Sequence, residues 1–75
     1  MPKVTVYSKE NCQPCRMVKR WLDREGIEYI EKDATEHIDY LSVLGYRQAP
    51  VTITEAGGHF YGFDIGKLQQ IKGGS

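Results

Sequence analysis

The sequence predicts an α/β domain whose secondary-structure elements follow the order β-α-β-α-β-β-α. Two patterns support this prediction: short β-branched runs alternate with segments of helical periodicity, and glycines or prolines separate them. A chain of 75 residues has room for one domain only, and such a chain buries roughly 60% of its unfolded surface. We therefore expect residues 1–72 to form one domain, with a flexible tail at residues 73–75.

The first strand and the first helix are predicted at residues 3–7 and 13–25. The strand alternates β-branched and polar side chains, as a half-buried strand does. Pro14 occupies the first helical turn, where its missing N–H is tolerated, and Gly26 ends the helical pattern. The apolar side chains of this helix recur at helical spacing: Met17, Val18, Trp21 and Leu22. We expect Trp21 and Leu22 to belong to the core.

A second strand and a second helix follow. The strand is predicted at residues 27–31, and Asp33 followed by Glu36 resembles a capping box that opens the helix. Gly45 ends this helix. Its predicted inward-facing residues are Ile38, Leu41 and Leu44.

The last third of the chain is predicted to contain a hairpin and a short helix. Residues 51–54 and 59–61 are β-rich, and residues 55–58 between them form the hairpin loop. Asp64 is an N-cap residue for the final helix. The predicted inner face of that helix consists of Ile65, Leu68 and Ile71.

Composition excludes several classes of function. Ten basic and ten acidic side chains give a net charge of zero, which argues against nucleic-acid binding because phosphate contacts need a basic surplus. The chain has no apolar run of roughly 18 residues, so no membrane span is expected. The N-terminus lacks the pattern of a signal peptide, and we expect the protein to stay in the cytoplasm. We also expect it to be a monomer.

The neutral total hides an asymmetry along the chain. Residues 1–26 hold six basic and three acidic side chains, whereas residues 27–46 hold one basic and five acidic side chains. Lys9, three residues before Cys12, is a candidate for supporting a thiolate or an acidic partner. The remaining helical cations are expected to form a solvated helix face: Lys19, Arg20 and Arg24.

Cys12 and Cys15 are the two cysteines of the sequence, and they lie at the predicted start of the first helix. Free backbone N–H groups and the positive end of the helix dipole stabilise an anion there, so a thiol at Cys12 loses its proton more easily than a free cysteine. Cys15 lies one turn further on the same side, within reach for a disulfide. This spacing predicts that Cys12 attacks a disulfide and that Cys15 resolves the product.

A structural disulfide and a zinc site are the two structural alternatives to this hypothesis. A structural disulfide would close a loop of four residues, for which chain entropy gives only about 2 kcal/mol. A zinc site would need His37 and His59, but twenty-one residues separate these histidines, whereas zinc fingers space theirs by about three to five. The short loop between the cysteines and the wide spacing of the histidines therefore favour a redox-active pair, and no metal ligand is predicted.

Three segments of the sequence, together with the C-Q-P-C motif, resemble the NrdH-redoxins, which are glutaredoxin-like members of the thioredoxin superfamily. The segments are V-T-V-Y-S-K at residues 4–9, L-G-Y-R-Q-A-P-V at residues 44–51 and G-F at residues 62–63. The resemblance covers nearly the whole chain. It implies the thioredoxin/glutaredoxin fold, with a four-stranded mixed sheet flanked by three helices.

The resemblance also implies a site and its partners. A cis peptide bond before Pro50 would face the cysteine pair, and the backbone of Ala49 would pair with a partner segment. Other partner-binding positions are Lys9, Gln13, Pro14, Gln48, Gly62, Phe63 and Asp64. The implied electron donor is thioredoxin reductase with NADPH behind it, the implied acceptor is a class Ib ribonucleotide reductase, and no cofactor is expected to bind this chain.

The sequence departs from the family pattern in two places. Gln13 and Pro14 replace the usual valine or methionine followed by glutamine, and Pro14 resembles thioredoxin. Asp64 resembles the glutathione-binding segment of glutaredoxins, although Tyr61 replaces its first glycine and Ile65 its second acid. These departures leave glutathione open as the reductant.

Three alternative functions follow from the same residues. A glutathione-dependent glutaredoxin is the nearest alternative. A metal carrier of the M-x-C-x-x-C type is the second, although Glu10 stands at the methionine position. The third is a thioredoxin-fold module that only binds a partner.

Overall fold

The computed structural model describes residues 4–73, and these residues form a four-stranded sheet covered by helices. In chain order the elements are β1 (Val4–Ser8), α1 (Gln13–Arg24), β2 (Tyr29–Asp33), a 3-10 turn (Ala34–Glu36), α2 (Ile38–Val43), β3 (Val51–Thr54), β4 (His59–Tyr61) and α3 (Ile65–Gly73). The predicted order of strands and helices is confirmed. None of the helices within residues 4–73 combines the length and the apolar character that a membrane crossing requires.

The strands follow the order β2-β1-β3-β4 across the sheet. β1 pairs with β2 in parallel, and the α1 crossover connects the two because parallel neighbours cannot be joined by a tight turn. β1 and β3 are antiparallel, as are β3 and β4. The sheet is therefore mixed, as predicted.

Two hydrophobic clusters fill the two faces of the sheet, because successive side chains of a strand point to opposite faces. The first cluster joins β1 to α1 and α3, and its buried members are Val4, Val6, Val18, Trp21, Leu22, Phe60 and Leu68. The second lies on the face covered by α2, and its buried members are Tyr7, Cys12, Cys15, Ala34, Leu41, Ala49 and Val51. The cysteine pair is thus part of the second cluster.

The second strand begins two residues later than predicted. The chain leaves α1 through Gly26, whose φ of 70° is available at little cost only to glycine. The N–H of Gly26 donates to the carbonyl of Asp23, and the N–H of Ile27 donates to the carbonyl of Leu22. This Schellman arrangement uses Ile27 to close the helix, so that the strand starts only afterwards.

The second helix is shorter than predicted. The prediction that Asp33 caps it is wrong: the Asp33 carboxylate accepts the N–H of Thr35 at 2.8 Å and caps a 3-10 turn, and α2 begins only after His37. α2 then has only six residues, too few for a full inward stripe. Leu41 is buried and Leu44 half-buried, whereas the prediction that Ile38 faces the core is wrong because 63% of it is exposed.

The hairpin and the last helix lie where they were predicted. The Asp64 carboxylate accepts the N–H of Lys67 at 3.1 Å, as an N-cap residue does. Leu68 is buried and Ile71 packs on the first cluster, but Ile65 is 42% exposed, so its assignment to the inner face is wrong. Of the predicted tail at residues 73–75, Gly73 ends α3, and the other two residues lie outside the described part of the chain.

Thr52 is fully buried, and its hydroxyl has no hydrogen-bond partner among residues 4–73. A buried hydroxyl without a partner is destabilising, so we expect Thr52→Val to raise the free energy of unfolding by about 1 kcal/mol. Urea unfolding would measure this change. Thr54→Val is the matched control: Thr54 exchanges hydrogen bonds with Gly58, so stability should fall. A loss of stability in Thr52→Val would contradict the prediction.

Candidate active site

The loop after β1 delivers Cys12 to the start of α1. Asn11 adopts a φ of 56°, a left-handed conformation that asparagine tolerates better than most residues. Cys12 is then the N-cap residue of α1, and its Sγ accepts the backbone N–H of Cys15 at 3.2 Å. A disulfide joins Cys12 and Cys15, whose Cα atoms are 5.2 Å apart. The two cysteines singled out in the sequence are therefore bonded to each other at a helix N-terminus.

The two cysteine residues differ slightly in exposure. Cys12 is 7% exposed and Cys15 only 1% exposed. A partner disulfide approaching from solvent therefore meets Cys12 first, whereas Cys15 is reachable mainly from inside the pair. The geometry favours unequal roles for the two residues.

The segment before β3 faces the disulfide. The peptide bond between Ala49 and Pro50 is cis, as the resemblance implies. The carbonyl oxygen of Ala49 lies 3.8 Å from the Sγ of Cys12, and the carbonyl of Pro50 accepts the N–H of Gly62 at 2.9 Å. The structure thus brings Ala49 and Cys15 against Cys12, with Pro50 next to Ala49 in the chain and Gly62 bonded to Pro50.

One cleft is lined by both cysteines and a second by Ala49, and the exposed Lys9 lines both clefts. The larger cleft, of about 560 Å³, also carries charged side chains of α1 and β2, namely Arg16, Lys19, Glu31, Lys32 and Asp33. The smaller one, of about 130 Å³, lies between α2 and residues 46–49. The predicted placement of Lys9 close to the cysteines is therefore compatible with contact to a partner on either side.

Glu31 of β2 holds α1 to the sheet beside the larger cleft. Its Oε2 accepts the Nζ–H of Lys19 at 2.7 Å and the hydroxyl of Ser8 at 2.7 Å. These two hydrogen bonds, first that of Lys19 and then that of Ser8, lower the pKa of Glu31. Lys19 is therefore not simply part of a solvated face as predicted, whereas Arg20 and Arg24 are exposed.

Glu31→Gln is expected to lower the free energy of unfolding at pH 7 and to make that free energy depend less on pH in the acid range. A pKa of Glu31 that is lower in the folded state stabilises the fold above the ordinary glutamate value of 4.5, and this contribution is lost as pH falls through the lower folded value. The contact is half exposed, so we expect a difference of about 0.5 kcal/mol from the parent protein at pH 7.

The difference between Glu31→Gln and the parent should be smaller at pH 3 than at pH 7, because the contribution of the carboxylate decreases as pH falls below 4.5. Urea unfolding at both pH values measures it, with Glu28→Gln as the control for loss of one surface charge. An equal difference at pH 7 and pH 3 would contradict the prediction.

The other predicted partner-binding residues are only partly available. Gln13 and Gln48 are exposed and Pro14 is half-buried in the first turn of α1. Phe63, by contrast, packs on the first hydrophobic cluster, and the carboxylate of Asp64 is used to cap α3. These last two residues thus take part in packing and capping next to Gly62, and their role in partner binding stays a prediction.

Three residues near the site were not predicted as functional. The hydroxyl of Tyr61 donates to the Oε1 of Gln48 at 2.8 Å. The hydroxyl of Tyr46 lies 2.7 Å from the Nδ1 of His59, and the two rings meet edge-on at a centroid distance of 5.5 Å. The sequence signal was weak: two polar aromatic side chains flank the buried Phe60 in a three-residue strand.

The two histidines considered as zinc ligands contact different tyrosines. His37 packs edge-on against Tyr7 at a centroid distance of 5.3 Å, and His59 contacts Tyr46. Within residues 4–73, no group of three or more His, Cys, Asp or Glu side chains is arranged to hold a metal ion.

Comparison with known proteins gives concordant matches. The family model described as Glutaredoxin matches residues 4–59. The glutaredoxin-like protein NrdH of Lactococcus lactis subsp. cremoris is 39% identical over 71 residues, which cover 91% of this chain and 97% of that protein. The Gene 56 protein of Mycobacterium phage L5 is 33% identical, with 91% of this chain and 70% of the phage protein covered.

Solved structures match at the level of the fold. The NrdH-redoxin of Escherichia coli superimposes with a TM-score of 0.82 at 24% identity, over 89% of this chain and 91% of that one. The thioredoxin-like protein BC3987 superimposes with a TM-score of 0.74 at 32% identity, over 92% of this chain and 99% of that one. The sheet and the three helices are therefore those of the thioredoxin/glutaredoxin fold.

Proposed function

The chain belongs to the glutaredoxin family, as its resemblance to the NrdH-redoxins predicted, and on this premise we propose that it reduces disulfides in partner proteins through Cys12 and Cys15. It is a thiol–disulfide oxidoreductase. The single observation that best supports the proposal is the disulfide at the N-terminus of α1, with Cys12 as the more exposed of the two residues. We further propose one domain over residues 1–72, acting as a monomer.

In the proposed reaction the reduced protein transfers two electrons to a partner disulfide. The Cys12 thiolate attacks one partner sulfur, the partner's S–S bond breaks, and its other sulfur leaves as a thiolate that takes up a proton. Cys15 then loses its proton and attacks the Sγ of Cys12. The mixed disulfide breaks, and the partner sulfur that was bonded to Cys12 leaves and takes up a proton to become a thiol. The Cys12–Cys15 disulfide remains.

The contacts of Cys12 support its role as nucleophile. Its Sγ accepts the N–H of Cys15, and the same donor, together with the dipole of α1, stabilises a thiolate after reduction. Cys15 is almost completely buried, which supports the resolving role. The pair is pre-assembled, so the second attack needs no large movement.

We propose that the partner segment lies across Ala49 and Pro50. An extended segment that pairs with exposed backbone there would hold its disulfide above the Sγ of Cys12, which is 3.8 Å from the Ala49 carbonyl oxygen. The contacts surrounding that segment would come from the rim of the site, at Lys9, Gln13, Pro14, Gln48 and Gly62. Phe63 and Asp64 support this rim from below.

We propose thioredoxin reductase as the electron donor, with NADPH reached only through that enzyme, and a class Ib ribonucleotide reductase as the acceptor. The relative in Lactococcus lactis is a glutaredoxin-like NrdH protein, and the E. coli NrdH-redoxin is described by a thioredoxin-like activity profile. The glutathione-binding pattern is incomplete in this sequence, which supports the same donor. The cytoplasm is the proposed compartment, because thiols are kept reduced there.

The test of the donor compares two reductants on the oxidised protein. We expect NADPH with thioredoxin reductase to reduce it in a reaction that consumes NADPH, and glutathione at millimolar concentration to reduce it much more slowly. The Cys12→Ser variant cannot form the Cys12–Cys15 disulfide, so it is the control for background NADPH consumption. Reduction by glutathione but not by NADPH with thioredoxin reductase would contradict the proposed donor and identify a glutathione-dependent glutaredoxin.

A further inference from the structure

We propose that Tyr46, His59 and Tyr61 are positioning residues for partner disulfides, because they fix the chain segment that carries Ala49. The segment concerned is residues 46–50, here called the docking segment. This inference rests on the proposed function, since it assigns a role in holding the partner to residues outside the cysteine pair.

The strand register places the side chains of β4 beside the docking segment. Tyr61 pairs with Val51 and His59 pairs with Ile53. Paired residues of neighbouring strands point to the same face of a sheet, so Tyr61 and His59 lie on the face of the second hydrophobic cluster. Phe60 between them is buried on the other face.

Three hydrogen bonds tie the docking segment to β4 and its end. Tyr46 is held by His59, Gln48 by the hydroxyl of Tyr61, and the carbonyl of Pro50 by the N–H of Gly62. Every second residue of the segment is therefore anchored. Two of the anchors are side-chain contacts, and the third is a backbone hydrogen bond at Pro50.

Ala49 lies between two of these anchors, and its carbonyl oxygen is the docking-segment atom that lies 3.8 Å from the Sγ of Cys12. Backbone that must become ordered when a partner binds weakens that binding, whereas backbone that is already fixed does not. The anchors therefore favour association with an extended polypeptide. A small disulfide needs no such pairing and reacts with Cys12 directly.

The anchors at Tyr46 and Tyr61 can be removed without disturbing the core. Tyr61 is 46% exposed and Tyr46 is half-buried, so replacement by phenylalanine keeps each ring and deletes one hydroxyl. Tyr40→Phe is the matched control, because Tyr40 is also 46% exposed but lies on α2, outside the docking segment and β4. Thermal unfolding of each variant checks that the fold is retained.

The experiment compares two oxidants of the prereduced protein: insulin as a protein disulfide and 5,5′-dithiobis(2-nitrobenzoate) as a small one. We expect Tyr61→Phe and Tyr46→Phe each to lower the second-order rate constant with insulin about fivefold. Their rate constants with the small disulfide should equal that of the parent. Tyr40→Phe should behave as the parent with both.

A double-variant cycle tests the Tyr61–Gln48 contact directly. Gln48→Ala should slow the reaction with insulin, and adding Tyr61→Phe to it should have almost no further effect, because the two residues share one hydrogen bond. Full additivity would show that the tyrosine acts elsewhere.

The outcomes separate this inference from the proposed function. If the parent reduces insulin and the tyrosine variants do so equally fast, the inference is wrong and the proposed function stands. If the variants are slowed equally with insulin and with the small disulfide, the tyrosines act on the dithiol or on the fold, and the inference is again wrong. If the parent reduces neither oxidant, both the proposed function and the inference are overturned.

Discussion

Cys12→Ser is expected to lose more than about 1000-fold in the rate of disulfide reduction, because the hydroxyl is not ionised at neutral pH and the attacking thiolate is gone. The buried Cys15 does not replace it, since only 1% of that residue is exposed. Insulin reduction with dithiothreitol as the terminal reductant measures the loss. Serine preserves the size of the side chain, so a folding defect is not expected to contribute.

Cys15→Ser separates the two steps and is the informative companion. Its first attack should proceed at nearly the parent rate, whereas repeated turnover should fall because no internal thiol releases the partner. A Cys12→Ser variant that keeps a tenth or more of the parent activity would contradict the assignment of Cys12 as the nucleophile.

Leu22→Ala is expected to lower the free energy of unfolding by about 3 kcal/mol or more, since large-to-small changes of fully buried leucines cost about 2–5 kcal/mol. Leu22 is fully buried in the first hydrophobic cluster, between β1, α1 and α3. A domain of this size has a total stability of only about 4–11 kcal/mol, so the variant should lose a large share of it. Urea unfolding of the oxidised protein measures the change.

Met17→Ala is the control for Leu22→Ala, because Met17 belongs to the same helix but is 42% exposed. We expect it to cost less than about 1 kcal/mol. If Leu22→Ala shifted the urea midpoint no more than Met17→Ala does, the first hydrophobic cluster would not be the main source of stability.

The order of the elements was predictable because hydrophobic periodicity changes clearly between strands and helices along this chain. The ends of the elements were predicted less well, because they depend on hydrogen bonds that periodicity does not report. Ile27 looks like a strand residue but closes α1 through the carbonyl of Leu22. Asp33 looks like the cap of an α-helix but opens a 3-10 turn, which leaves Ile38 exposed.

The cysteine pair was predictable because its chemistry is local: Cys12 and Cys15 are three residues apart, and the helix start between them is visible in the sequence. The anchoring of the docking segment was not predictable, because Tyr61 and Gln48 are thirteen residues apart and meet only after the β3–β4 hairpin has folded. The prediction of Lys19 as a solvated cation is incomplete because its partner Glu31 lies on another element, which helical periodicity does not reveal.

Trapping of the mixed disulfide tests the central claim most directly. Reduced Cys15→Ser and reduced Cys12→Ser are each mixed with insulin, quenched with acid and analysed by mass spectrometry without reductant. The proposed mechanism predicts a covalent complex of Cys15→Ser with an insulin chain, released by dithiothreitol, and almost none with Cys12→Ser. A complex that accumulates on Cys12→Ser, or none on either variant, would contradict it.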